Sequence, residues 1–186
     1  MTAKENLTPS GSQTVGPFFH IGLQYMLDLE SVAPAAPGAI EIRGKVIDGN
    51  GNPVPDAMLE FWSAENLTDG AELGSNGLPS GFRRTVTDAD GSYSTTMNKP
   101  GPVPIGDGSS QAPHFFVMVF ARGLLRQLVT RVYFANESAN DADSVLRQIS
   151  AERRHTLIAR ADANRATVFH WDVVLQGTNE TAFFAW

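Results

Sequence analysis

The sequence predicts an all-β protein, an antiparallel β-sandwich with an extended N-terminal arm and one short helix. Seven or more short runs are rich in Val, Ile, Phe, Tyr and Thr, the residues that favour strands. Clusters of Gly, Pro, Asn and Asp separate these runs, and only one stretch has the signals of a helix. Many short strands with few helices are typical of a sandwich. Because 42% of the 186 residues are hydrophobic, we expect one core and a single domain over residues 1–186.

Residues 1–19 form the predicted arm, which is rich in Thr, Ser, Pro and Gly. Pro17 has a fixed φ and pushes Gly16 towards an extended conformation. A frayed terminus is the alternative interpretation, because chain ends are often poorly ordered. Residues 21–38 have room for a short helical turn or two before the prolines at 34 and 37.

The strands follow in chain order from apolar runs and turn residues. A strand over 40–47 leads through DGNGNPVPDA into a strand over 58–62, and DADG joins the next two strands in the same way. The later strands are expected at 82–87, 92–97, 114–121, 128–134, 155–160 and 166–176. The one predicted helix is SVLRQI, residues 144–149, for which Asp141 or Asp143 can accept hydrogen bonds from the first turn. Residues 64–81 form a long loop without periodicity, either functional or packed against a partner.

Composition excludes several classes of function. With 14 basic and 20 acidic residues the net charge is −6, and no basic block is present to bind nucleic acid. The chain has no cysteine, so any metal would need His, carboxylate or Tyr ligands. No apolar signal region and no run of roughly 18 or more apolar residues is present, so we expect a soluble cytoplasmic protein without a membrane contact.

His114 opens the apolar strand HFFVMVFA and raises the question of a metal site. Alternation places it on one side with Phe116, Met118 and Phe120, and both sides of the strand are apolar, as expected between two layers. An isolated histidine there is more often a hydrogen-bonded structural residue than a ligand. The other histidines (20, 155 and 170) form no H-x-H pair, and the tyrosines (25, 93 and 133) lie in or beside apolar runs. No nucleophile elbow, P-loop or dinucleotide motif is present, so we expect no catalytic residue in this chain alone.

Seven segments together resemble the intradiol ring-cleaving dioxygenases, from about residue 8 to the C-terminus. No single segment carries the resemblance, but their order and spacing are specific. The segments are TPSGSQTVGPFFHIGL, IRGKVIDGNGNPVPDAMLEFW, FRRTVTDADGSY, MNKPGPVP, APHFFVMVFARG, TRVYF and ERRHTLIAR.

The resemblance implies a lost metal site. In this family the catalytic subunit binds Fe(III) through two tyrosines and two histidines, anionic and imidazole ligands that suit a ferric ion. The matching positions here hold Val103, His114 and Phe116, and the loop that should carry the other tyrosine contains none. Gln111 stands where the catalytic subunit has an arginine, and Arg131 where it has a glutamine. We therefore expect this chain to bind no metal and Fe(III) to be held by a partner β subunit.

The resemblance also implies a role beside that partner. The family's iron-free α subunits shape the pocket of the β subunit, and the residues that reach into it correspond to Thr14, Gly16, Pro17 and Arg122. A glycine suits the closest approach of a backbone to a substrate, and a guanidinium attracts an anionic aromatic acid. For a single strand-end arginine, simple solvation is the alternative interpretation.

The implied reaction is the opening of 3,4-dihydroxybenzoate with O₂, giving 3-carboxy-cis,cis-muconate, catalysed by the hetero-oligomer. The ring substituent stays open, because a sulfonate could use the same arginine. A stand-alone β-sandwich binding module is the alternative function, with the aromatics of TAFFAW as an exposed ligand platform. A homomeric dioxygenase with an unusual ligand set is a third interpretation, which the local sequences do not favour.

Overall fold

The computed structural model describes Leu27 and residues 37–63, 81–106 and 108–185. Within these residues the chain is mostly strand, with one short α-helix and a few 3₁₀ turns. The strands are β1 (Ala39–Ile47), β2 (Met58–Ser63), β3 (Phe82–Val86), β4 (Ser92–Asn98), β5 (Val103–Pro104), β6 (Ser110–Gln111), β7 (His114–Phe120), β8 (Leu128–Phe134), β9 (Ile158–Ala161), β10 (Val168–His170) and β11 (Val173–Val174). The helix α1 is Ala151–Arg154, and 3₁₀ turns cover Ser138–Ala142, Leu146–Gln148 and His155–Leu157.

The strands form two layers around a common core. One layer contains β1 with β4 on one edge and β10 and β11 on the other, and the second layer runs β3-β2-β7-β8. Strand β9 belongs to both, because it pairs parallel to β8 and antiparallel to β10. The predicted all-β fold is confirmed, although β1–β10, β1–β11 and β8–β9 are parallel pairs in an otherwise antiparallel arrangement.

Apolar side chains from both layers fill the space between them. The fully buried members on β7 are Phe115, Val117 and Val119, which pack with residues of β1, β2, β4 and β8. Phe116 and Met118, on the opposite face of β7, are only half-buried. The expectation that this apolar strand lies between two layers is therefore met only on the 115/117/119 face, which makes the core, since Phe116 and Met118 on the other face stay partly exposed.

The two predicted turns share one local mechanism. The carboxylate of Asp48 accepts hydrogen bonds from the backbone N–H groups of Asn50 and Asn52, at 2.9 and 2.8 Å. In the next hairpin, Asp88 accepts from the N–H groups of Asp90 and Ser92, both at 2.9 Å. Such side-chain bonds to the following backbone are why Asp begins turns, and both predicted turns are confirmed.

The strand predicted over 166–176 is interrupted at Trp171. Its carbonyl lies against Gly44 of β1, where an added Cβ would be 1.7 Å from the carbonyl oxygen. The Tyr93 hydroxyl donates to the same oxygen at 2.6 Å. The Trp171 carbonyl therefore accepts from Tyr93 and not from a neighbouring strand. As a result, the pairing with β1 is interrupted after β10 and resumes at β11.

The helix predicted over 144–149 is wrong in position. The Asp143 carboxylate accepts from the N–H groups of Val145 and Leu146 at 2.9 and 2.8 Å, so it is the capping residue. The N–H group of Gln148 then donates to the carbonyl of Val145, three residues earlier, and the backbone at Ile149 is extended. A single turn that does not continue takes the 3₁₀ form. The α-helix of the described residues is α1, which begins five residues after Leu146.

Three predicted segments lie outside the described residues: the N-terminal arm, the short helical turns within 21–38 apart from Leu27 and residues 37–38, and the loop 64–81 apart from Gly81. Among the helices of the described part, none has the length and apolar character that crossing a bilayer requires.

Candidate functional site

The three positions expected to be remnants of a metal site lie around one end of β7. Val103 on β5 pairs with Gln111 on β6, directly ahead of β7. On the adjacent strand β8, Tyr133 is the partner of His114 and Arg131 is the partner of Phe116. The fold therefore gathers the residues that the sequence singled out.

His114 is buried and hydrogen-bonded to the backbone. Its exposed fraction is 2%, and Nδ1 lies 2.7 Å from the carbonyl oxygen of Ala112. Because a carbonyl only accepts, Nδ1 carries the proton. The imidazole lies 5.2 Å from the Tyr133 ring, tilted by 30°. Burial lowers the pKa of His114, and the positive charge of Arg131 lowers it further, so the neutral form is favoured.

A polar network surrounds this histidine. The Tyr133 hydroxyl donates to Asp143 Oδ1 at 3.2 Å, and Asp143 Oδ2 accepts the Ala112 N–H at 2.9 Å. Arg131 Nη1 donates to the Tyr133 oxygen at 3.2 Å and to Gln111 Oε1 at 3.0 Å. Burial raises the pKa of Tyr133 well above its ordinary value. The phenol is therefore a protonated donor in this network.

The described residues around His114 do not fit a ferric ion. In the described ranges no three His, Cys, Asp or Glu side chains lie close enough together to hold a metal. Val103 and Phe116 offer no donor atom, and Tyr133 is held as a phenol by Asp143. Arg131 adds a fixed positive charge, which opposes a cation at this position.

A cavity of about 440 Å³ opens beside these residues. Its walls combine apolar groups with one cation and one amide. The residues that line it include Phe116, Arg131, Val145, Gln148, Ile149 and Phe184.

Arg122 lies at the opposite end of β7. Eight residues separate it from His114, roughly 26 Å along an extended chain. Its side chain is 69% exposed and forms an ion pair with Asp56. The structure therefore does not bring Arg122 to the His114 network. Thr14, Gly16 and Pro17 lie outside the described residues.

Contrary to the expectation of an exposed platform, the described C-terminal aromatics Phe183 and Phe184 are half-buried and packed against the protein, and Trp186 lies outside the described residues. Phe183 packs against the main core, and Phe184 packs against a second cluster that includes Tyr133 and Leu157. Backbone and side-chain bonds hold this segment along β8, with the Thr130 hydroxyl donating to the Ala182 carbonyl at 2.9 Å. The segment closes one end of the sandwich.

Asp143 is the site residue that sequence reasoning missed. It was expected only as one of two candidate caps, yet it also binds Ala112 and Tyr133 across the sheet. The only sequence signal was an acidic residue ahead of an apolar run, which does not indicate a contact 31 residues away along the chain.

A family model described as Dioxygenase matches residues 27–177. The chain is 42% identical over 201 residues to the protocatechuate 3,4-dioxygenase alpha chain of Burkholderia cepacia, covering 96% of this chain and 98% of that one. The chain belongs to the intradiol dioxygenase family. This confirms the resemblance, and the family consists of iron-containing oxidoreductases.

Other members of the family are less similar to this chain. The protocatechuate 3,4-dioxygenase beta chain of Burkholderia cepacia is 28% identical over 157 residues, covering 76% of this chain and 66% of that one. The solved dioxygenase domain of a fusion protein from Streptomyces sp. SirexAA-E superposes with a TM-score of 0.59 at 23% identity, covering 80% of this chain and 86% of that domain. The structural match supports the intradiol dioxygenase fold.

Proposed function

We propose that this chain is the non-iron α subunit of a hetero-oligomeric intradiol dioxygenase and bounds the active-site pocket of an iron-bearing β subunit. The observation that carries the proposal is the His114 network. At the positions that correspond to iron ligands, Val103 and Phe116 offer no side-chain ligand atom and His114 Nδ1 is bonded to the Ala112 carbonyl, while the adjacent Arg131 supplies a positive charge of its own. Similarity to an alpha chain over nearly its whole length supports the same assignment.

In this proposal the ferric ion belongs to the partner and supplies Lewis acidity towards an ortho-diol. The present chain helps to bind and orient the substrate, and it excludes water from the pocket. Arg122 attracts the anionic substituent of the aromatic acid, and the backbone around Gly16 lies against the substrate beside Thr14 and Pro17. The substrate class is an ortho-dihydroxy aromatic acid, 3,4-dihydroxybenzoate in the first instance, which O₂ converts into 3-carboxy-cis,cis-muconate.

The geometry of Arg122 is compatible with action in another subunit. Its side chain is 69% exposed, and that of Asp56 is 46% exposed. An ion pair between such exposed groups is worth about 0–1 kcal/mol. The guanidinium can therefore turn from Asp56 towards a partner's pocket at little cost.

The proposal is tested by purifying the chain alone and together with an iron-binding β-type partner. Iron content and O₂ uptake with 3,4-dihydroxybenzoate are measured for both preparations. We expect iron and activity only in the complex, with about one iron per αβ pair. Iron-dependent turnover by the chain alone would overturn the assignment.

The binding-module alternative predicts different behaviour for the isolated chain. A module should be a stable monomer, whereas an orphaned subunit should self-associate through surface that its partner normally covers. Phe183 and Phe184, the described aromatics of that segment, are half-buried rather than exposed, which argues against the exposed platform on which the alternative was based. Sedimentation velocity of the isolated chain distinguishes the two.

A further inference from the structure

We propose that the cavity beside Phe116 binds a small aromatic carboxylate, at a site formed by this chain itself. The inference goes beyond the pocket role proposed above, because it assigns a ligand to the α-type chain and requires neither iron nor a partner. It is carried by the position and bonding of Arg131.

Arg131 is a half-buried cation without a carboxylate partner. Among the described residues its only hydrogen bonds run from Nη1 to the side-chain oxygens of Gln111 and Tyr133. Asp143, the carboxylate behind Tyr133, already accepts from the N–H groups of Ala112, Val145 and Leu146 as well as from the phenol. The charge of Asp143 is thus engaged by four other donors, and Nη2 and Nε of Arg131 stay available.

A guanidinium with two adjacent donors matches a carboxylate. The Nε and Nη2 hydrogens of an arginine can donate in parallel to the two oxygens of one carboxylate. A partly buried charge without a counter-ion is unfavourable, so an anion is stabilised there. Because Nη1 is held by two neutral oxygens, the guanidinium is oriented before the ligand arrives.

The remaining walls select an apolar, flat ligand. Phe116 and Phe184 offer aromatic surface, and Val145 and Ile149 offer aliphatic surface, while Gln148 stands at the exposed rim. The volume of about 440 Å³ lies within the range of small-molecule sites, roughly 300–1,000 Å³. A benzoate-type acid satisfies the cation and the apolar walls together.

The test is equilibrium binding of 4-fluorobenzoate to the full chain, followed by fluorine NMR. We expect one saturable site per chain, and at least tenfold weaker binding of the neutral 4-fluorobenzyl alcohol. Arg131→Gln should weaken binding of the acid at least tenfold. Arg160→Gln removes the same charge from an exposed strand position and should leave binding unchanged.

A second variant tests the site independently, in case Arg131→Gln does not fold. Gln148→Glu places a negative charge at the rim without touching the buried network, and it should weaken binding of the acid severalfold, whereas Gln127→Glu at an exposed loop should not. Absence of saturable binding, or equal affinity in wild type and both cavity variants, overturns the proposal. Because the binding measurement needs no iron, a negative result would not contradict the subunit assignment. Conversely, iron-dependent activity of the isolated chain would overturn that assignment without contradicting the binding site.

Discussion

The guanidinium of Arg131 sets the direction of the hydrogen bonds around His114. An arginine only donates, so the oxygens of Gln111 and Tyr133 must accept, and the proton of Tyr133 is left for Asp143. The same charge disfavours protonation of His114. Arg131 thus sets the directions of these hydrogen bonds, while burial is the main cause that lowers the pKa of His114 and raises the pKa of Tyr133.

We expect His114 to make stability depend on pH. An unfolded histidine has a pKa of about 6.5, and the pKa of His114 in the folded chain is lower. Between these two values only the unfolded chain binds the proton, so the free energy of unfolding falls as the pH drops below about 6.5. His114→Asn keeps an N–H for the Ala112 carbonyl but cannot titrate in this range.

Urea unfolding at pH 7.5 and 5.5 measures this effect. The loss of stability between the two pH values should be smaller in His114→Asn than in the wild type, by about 1 kcal/mol. His155→Asn, at an exposed position, serves as the control and should follow the wild type. An equal loss of unfolding free energy between the two pH values in all three proteins would show that His114 does not contribute.

Among the elements, Asp143 joins the 3₁₀ turn Leu146–Gln148 to β8 and to the short link that precedes β7. It is fully buried and accepts four hydrogen bonds from separate parts of the chain. Asp143→Ala removes all four, leaving buried N–H groups without an acceptor, so we expect a loss of about 3 kcal/mol in the free energy of unfolding. Asp141→Ala, at the exposed alternative cap, should change it by less than about 0.5 kcal/mol. Equal effects in chemical denaturation would refute the capping assignment.

The crossing of β1 with the β10–β11 segment depends on Gly44. An alanine Cβ there would overlap the Trp171 carbonyl oxygen, which is backbone and cannot rotate away. We expect Gly44→Ala to lower the free energy of unfolding by at least about 2 kcal/mol. Gly106→Ala adds the same methyl group where no atom lies within 4 Å, and its thermal midpoint should match the wild type. A stable Gly44→Ala protein would mean that the strands can separate there without cost.

Features with a local cause could be predicted from the sequence, and features with a distant cause could not. The strands and the two Asp-initiated turns depend on alternation and on side chains within four residues. The break at Trp171, the parallel partners of β1 and the bonds of Asp143 to β7 and β8 depend on residues far along the chain. The positions Val103, His114 and Phe116 came from the family resemblance, whereas the Arg131–Tyr133–Asp143 network required the fold. The single-domain assignment over residues 1–186 stays a prediction.

In the folded chain as a whole, the two proposed sites lie at opposite ends of β7. The His114 network and the cavity lie at its start, and Arg122 lies beyond its end, paired with Asp56. Arg122 lies too far from the chain's own cavity to contact a ligand there, which is compatible with the proposed contribution to another subunit. In the proposed complex one chain thus faces its partner with Arg122 while its own cavity stays independent.

Arg122→Ala in the assembled complex tests this separation. We expect the apparent KM for an anionic catechol to rise on the order of tenfold, the loss of roughly 1–2 kcal/mol from a charge-assisted contact. A neutral catechol should show little change, and Arg160→Ala should behave as the wild type. Steady-state O₂ uptake provides the measurement. Unchanged kinetics with intact assembly would remove Arg122 from the pocket.

The pairing of β1 has a consequence for how the protein is made. While the ribosome is still adding residues, β1 can pair with β4, which is made well before β10 and bonds β1 from Ala39 to Lys45. Its other edge must wait for β10 and β11, since the contact between Lys45 and Asp172 spans 127 residues. Until then an unpaired strand edge is available to other nascent chains. Slow synthesis of the second half should therefore favour aggregation, and chaperones that shield the growing chain should raise its yield.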